Sequence, residues 1–165
     1  MDSYLAQRLA NELAPCVTNI PHVQGGLAQA VGIKDAHLIT ILALMRGGEP
    51  MARGVFDIFP QATFVHYREE NNCATCLPDL TGHVVILVDS VINSGASIRR
   101  AVNAIINSCS RIFVVAGVMQ AQASIELPRE FPMVRFYSLR ISDNQYTGRG
   151  VTDTGNRLFG TTQNM

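Results

Sequence analysis

The sequence predicts an α/β fold, a parallel sheet flanked by helices, on three observations. Short apolar runs rich in β-branched residues alternate with longer helix-like stretches. Two of those runs, 84–88 and 112–118, are apolar throughout instead of alternating, as strands buried on both faces are. Between them Ile98, Val102, Ile105, Ile106 and Cys109 recur at spacings of three and four, with Arg99, Arg100, Asn103 and Asn107 on the other side. That is an amphipathic helix joining two buried strands, a βαβ unit.

The remaining elements follow in order. A first helix is expected over 4–13, stopped near Pro15. The first core strand covers 38–44 and the second 62–67; after the βαβ unit a last strand covers 134–139. Beyond Leu139 the pattern stops, and 140–165 is polar and Gly-rich, a loop-dominated hood. Without a repeat, a low-complexity tract or a linker, residues 1–165 are expected to form one domain, with its core at about 38–139 and its hood at about 140–165.

Composition narrows the function. Apolar residues make up 47% and charged residues 16% of the chain, enough for a core and too apolar for global disorder. Thirteen basic residues balance thirteen acidic ones, which argues against a nucleic-acid coat or a membrane-surface binder. Lys34 is the only lysine; the other basic residues are arginines, the better fork for phosphate. No run approaches the ~20 apolar residues of a membrane span. The Met1-Asp2-Ser3-Tyr4 start lacks the basic and apolar regions of a signal peptide. Four cysteines are too few for a disulfide scaffold. A soluble, cytoplasmic, reduced protein is expected.

Four segments can carry chemistry. The strand at 84–88 delivers Asp89 at its carboxyl end, where open α/β sheets bind ligands. The small, hydroxyl-rich turn Ser94-Gly95-Ala96-Ser97 then opens a helix, so backbone N–H groups and hydroxyls can approach a phosphate. An ordinary strand, loop and Ser97 cap is the plain alternative. Arg46-Gly47-Gly48 follows the first core strand and sets a guanidinium beside open backbone, which suits a diphosphate; the alternative is a turn with a solvated arginine. Tyr67-Arg68-Glu69-Glu70 ends the next strand, and 146–160 is a Gly-rich loop holding Asp153 and two aromatics. Separately, Cys73 and Cys76 form a CxxC between His66 and His83. With no second CxxC, two incidental loop thiols outweigh a zinc or redox site, and no metal-ligating residues are assigned.

Taken together, in this order, the four segments resemble the uracil phosphoribosyltransferases, members of the type I phosphoribosyltransferases, over about 38–161. The family's Arg-Ala-Gly turn is matched by Arg46-Gly47-Gly48, and its Tyr-Arg-x-Glu by Tyr67-Arg68-Glu69-Glu70. Its phosphoribosyl diphosphate (PRPP) loop is matched by Asp89-Ser90-Val91-Ile92-Asn93-Ser94-Gly95-Ala96-Ser97, and its uracil loop by Tyr146 through Thr161. The resemblance implies that Arg46 and Arg68 face the diphosphate, Asp89 the ribose hydroxyls, and Ser94 through Ser97 the 5′-phosphate. It implies that Asp153 meets PRPP directly or through Mg²⁺, the expected cofactor, held mainly by PRPP. It also implies that Asp89, Arg46 and Asp153 serve catalysis, and that uracil is read largely by backbone at Thr147, Thr152, Asp153 and Thr154.

The chain departs from the family pattern at Ala96, Arg149, Thr152 and Asn156, and a Cβ at Ala96 or Thr152 stands where backbone is expected to approach a ligand. Ser90 stands where most type I enzymes carry a second acid. The arm that uracil enzymes carry ahead of their first helix is missing; a homodimer or higher homo-oligomer is nonetheless expected. The implied activity is transfer of phosphoribose from PRPP to uracil, giving UMP and diphosphate. A catalytically weak, PRPP- or nucleotide-binding regulatory homologue is the alternative, motivated by Arg149, Thr152 and Asn156. A receiver-like domain with Asp89 as phosphoacceptor fits less well, because the first core strand ends in Leu44-Met45-Arg46 and brings no acidic pair.

Overall fold

The computed structural model describes residues 2–68, 77–145, 148 and 150–161. Five parallel strands form one sheet: β3 (Ile39–Leu44), β4 (Thr63–Tyr67), β5 (Val84–Ile92), β6 (Arg111–Gln120) and β7 (Val134–Ser142), in the spatial order β4-β3-β5-β6-β7. Helices α1 (Asp2–Glu12), α2 (Glu49–Ile58), α3 (Ala96–Ile105) and α4 (Ala121–Glu130) flank it. Ahead of the sheet β1 (Pro15–Pro21) and β2 (Leu27–Ile33) form a separate antiparallel hairpin.

The continuous apolar runs have the cause expected of them. Along β5, Val85 and Leu87 enter the core beneath α3 and α4, whereas Ile86 and Val88 enter the core beneath α1 and α2. Along β6, Ile112, Val114 and Ala116 face the first core, and Phe113 and Val115 the second. A period of two with both faces covered leaves no place for a polar residue in mid-strand.

Three expectations need correction. The segment 15–33, to which no element was assigned, is the β1–β2 hairpin; its strands are mostly exposed, so its pattern carries no core signal. Strand β5 runs on to Ile92, so Ser90, Val91 and Ile92 belong to the strand and not to the phosphate-loop turn. Ile92 is fully buried in the core. The residue before α3 is Gly95, in the left-handed conformation at φ 78°, and Ser97 lies inside the helix instead of capping it.

In the sheet order the chain steps from β3 outward to β4 on one side, and from β5 to β6 and β7 on the other. The carboxyl ends of β3 and β5 therefore flank the point where the winding reverses, and ligands of open α/β sheets bind in that crevice. Among the described residues no helix is long and apolar enough to cross a membrane.

Candidate active site

At that reversal point lies a cleft of about 820 Å³, a size suited to a nucleotide-scale ligand. Its floor and walls come from three places distant in sequence. The turn after β3 supplies Met45, Arg46 and Gly47; the end of β5 and the start of α3 supply Asp89, Val91, Asn93 and Ser97; the hood supplies Gly148, Gly150 and the 153–156 stretch. Arg68, just beyond β4, reaches the same cleft.

The turn after β3 is shaped by the backbone. The Met45–Arg46 peptide bond is cis. A Cβ on Gly48 would collide with the Val88 carbonyl oxygen and lie 2.8 Å from the Leu44 carbonyl oxygen, so only glycine lets this turn press against β5. Gly47 lies beside Asp89: a Cβ there would be 3.6 Å from Asp89 Oδ1 and 3.9 Å from Thr154 Cγ2. The Ser90 hydroxyl donates to the Gly47 carbonyl and ties the strand end to the turn. Arg46 and Asp89 are thus brought to one crevice by a glycine pair that only a folded sheet explains.

The hood closes onto this turn through a five-residue helix, α5 (Thr154–Leu158), preceded by a 3-10 turn at Gly150–Thr152. Asp153 caps α5, its Oδ1 accepting from the Asn156 backbone N–H at 2.8 Å. Arg46 Nη2 stands 3.8 Å from Asp153 Oδ1 and donates to Asn156 Oδ1. Both charged side chains of that pair are half-exposed and so remain available to a ligand.

The loop ahead of α3 is held from behind. Ser94 Oγ accepts from the Ala96 N–H, and the Ser94 carbonyl accepts from Arg99 Nη1 at 2.6 Å. Arg99 continues to Glu130 at 2.6 Å and Glu126 at 3.2 Å on α4. Its hydrogen bond to Glu130, reinforced by Glu126, pushes the already high guanidinium pKa further up. Arg99 therefore stays charged and staples the loop to α4. The sequence placed Arg99 only on the polar face of its helix.

The cleft thus gathers Arg46, Arg68, Asp89, Val91, Asn93, Ser97, Asp153 and Thr154 of the expected residues. Ser90 is engaged with Gly47, and Ile92 is core. Ser94 lines a smaller neighbouring pocket with Gln120, Gln122, Glu126 and Gln145. Gly95 is buried against Leu127, and Ala96 and Thr152 are exposed outside the cleft lining. The Cβ atoms at Ala96 and Thr152 therefore do not narrow it. Glu69, Glu70, Cys73, Cys76, Tyr146, Thr147 and Arg149 lie outside the described residues. His66, on β4, lies 3.8 Å from Glu49, whereas His83, just ahead of β5, bonds the Thr40 hydroxyl at 2.8 Å. In the sequence Asn156 stands out only as a departure from the family pattern; its position three residues after the cap Asp153 is the available local signal.

The uracil phosphoribosyltransferase family model matches residues 2–161, nearly the whole chain. The chain belongs to the uracil phosphoribosyltransferase family. A uracil phosphoribosyltransferase of Sulfolobus acidocaldarius is 25% identical over 158 residues, covering 82% of this chain and 73% of the relative. Among solved structures, the AQ2163 protein of Aquifex aeolicus superposes with a TM-score of 0.74 at 19% identity, covering 96% of this chain and 81% of that one. A hypoxanthine-guanine-xanthine phosphoribosyltransferase superposes at 0.60 with 11% identity, covering 88% and 73%. At those identities the structural likeness shows the type I phosphoribosyltransferase fold alone.

Proposed function

We propose that this family member transfers phosphoribose from PRPP to uracil, forming UMP and diphosphate. The observation that carries the reading is the convergence of Arg46, Asp89 and Asp153 on one cleft at the sheet's reversal point. In the transfer, uracil N1 bonds to the ribose C1 as the C1–O bond to diphosphate breaks. The electron pair leaves with diphosphate, and the N1 proton passes to solvent. Positive charge grows on the ribose and negative charge on the leaving group, so the protein's task is positioning and electrostatic stabilisation. Arg46 and Arg68 serve the diphosphate, Asp89 accepts from the ribose hydroxyls, and the start of α3 takes the 5′-phosphate. Backbone groups of the 147–154 stretch read the base. No side chain is assigned as a general base.

The carboxylates of Asp89 and Asp153 line the cleft, and among the described residues no group of three or more His, Cys, Asp or Glu forms a cation cage. One or two carboxylates plus substrate oxygens is how Mg²⁺ is usually held, so the residues fit that ion. When bound with PRPP it would neutralise the leaving diphosphate.

An assay of the purified protein with PRPP, Mg²⁺ and each free base, reading diphosphate release, tests the reading. Release is expected with uracil, and cytosine is expected to be rejected by about 10⁴-fold in kcat/KM, because its amino group sets a donor where uracil has an acceptor. PRPP binding without release for any base would favour the regulatory alternative. Asp89→Asn should weaken PRPP binding about tenfold or more by calorimetry, the worth of a charge-assisted hydrogen bond. Unchanged affinity would remove Asp89 from the site.

The proposal extends to self-association. The β1–β2 hairpin exposes Val17, Val23, Leu27 and Val31 on a two-stranded unit that is marginal by itself. Light scattering should give a dimer mass or larger, and Leu27→Glu with Val31→Glu should shift it toward the monomer. A monomeric native protein would refute it.

A further inference from the structure

The turn ahead of α3 presses directly on α4. Gly95 sits at φ 78°, and a Cβ there would lie 3.0 Å from Leu127 Cδ1 and 3.2 Å from Arg99 Nη1. Only glycine allows that approach. Arg99, one turn into α3, spreads three nitrogens over three partners on the turn and on α4. Nη1 donates to the Ser94 carbonyl at 2.6 Å, Nε to Glu130 Oε2 at 2.6 Å, and Nη2 to Glu126 Oε2 at 3.2 Å. A lysine, a point charge without the planar fork, could not hold all three in those directions.

The bond to Ser94 fixes an orientation. The Ser94–Gly95 peptide is trans, so its carbonyl and its N–H point opposite ways. With the carbonyl turned back onto Arg99, the Gly95 N–H is turned away from the guanidinium. Backbone N–H groups at the start of a helix are what an entering phosphate meets. Asn93, just ahead of the turn, and Ser97, in the first turn of α3, both line the main cleft. The charge of Arg99 matters as well. Glu126 lines a pocket with Ser94, so without Arg99 two carboxylates would stand uncompensated behind a turn that receives an anion.

We propose that Arg99 is a positioning residue that orients the 94–97 turn from behind and thereby sets the affinity for the 5′-phosphate, without touching the ligand. The inference rests on the reading of that turn as the 5′-phosphate site. It gives α4, which supplies no residue to the main cleft, a part in substrate capture.

Titration calorimetry of the full chain with UMP tests this, with uridine, which lacks the phosphate, read by its displacement of UMP. Arg99→Met should bind UMP about tenfold more weakly, the worth of a lost charge-assisted hydrogen bond, and uridine within twofold of the native protein. The unfolding midpoint should move little, because ion pairs this exposed add little to stability. Arg99→Met combined with Glu126→Gln and Glu130→Gln removes the leftover charges. That triple variant should still bind UMP several-fold more weakly than the native protein, since the Ser94 carbonyl is no longer held. Glu130→Ala, at the exposed end of α4, loosens the same hold from outside the turn. It should weaken UMP binding several-fold and serves if Arg99→Met does not fold. A native protein that binds UMP no more tightly than uridine, or not at all, would overturn the reading of the turn itself. Native UMP binding that Arg99→Met leaves unchanged, an equal loss for UMP and uridine, or full UMP affinity in the triple variant would each overturn the role of Arg99 alone. In the Glu130→Ala arm, unchanged UMP affinity does so.

Discussion

Arg46→Ala should lower kcat/KM for phosphoribosyl transfer by about 10²–10³-fold, the usual loss when one preorganised donor to a developing charge is removed. Arg46 is half-exposed and anchored only at the rim of the hood, so the unfolding midpoint should move little. Steady-state kinetics with PRPP varied, alongside thermal unfolding, separates the two effects. If the variant turned over within threefold of the native protein, Arg46 would have no place in the chemistry.

The second large effect is on stability. Phe113 is fully buried in mid-β6, in the core beneath α1 and α2, and its ring lies 6.2 Å from that of Tyr137. Phe113→Ala should cost about 3–5 kcal/mol, through lost transfer energy and the cavity left among Leu9, Val55 and Ile86. Against a typical total of about 5–15 kcal/mol that is a large share. Denaturant unfolding measures it as a fall in midpoint at constant slope. A loss below about 1 kcal/mol would mean that the two-faced packing of β6 contributes far less than its burial implies.

The strands were legible because burial on both faces forces a local signature. β5 and β6 are apolar at consecutive positions for a reason that acts within each strand. The hairpin at 15–33 was not, because its strands face mostly solvent and carry no such constraint. The extension of β5 through Ser90 and Val91 was missed for a related reason. Polar residues beside a glycine-containing turn look like loop, yet Val91 and Ile92 still pair with Val118 and Met119 of β6.

At the site the split is sharper. Sequence alone offered Asp89 after an apolar strand run, a glycine pair after Arg46 and an acid in a Gly-rich hood, and the order of those motifs led to the family; the fold sets Asp89 inside β5, three residues before its end. Each of these signals lies within a few consecutive residues. What holds them together does not. Gly48 is required because Val88, far along the chain, presents its carbonyl there, and Arg46 meets Asn156 across a separation of 110 residues. Composition and periodicity report which face of an element is buried, since that is a property of neighbouring positions. Which donor meets which acceptor depends on the sheet order and on how the hood closes, so only the folded chain decided that Asn156 answers Arg46.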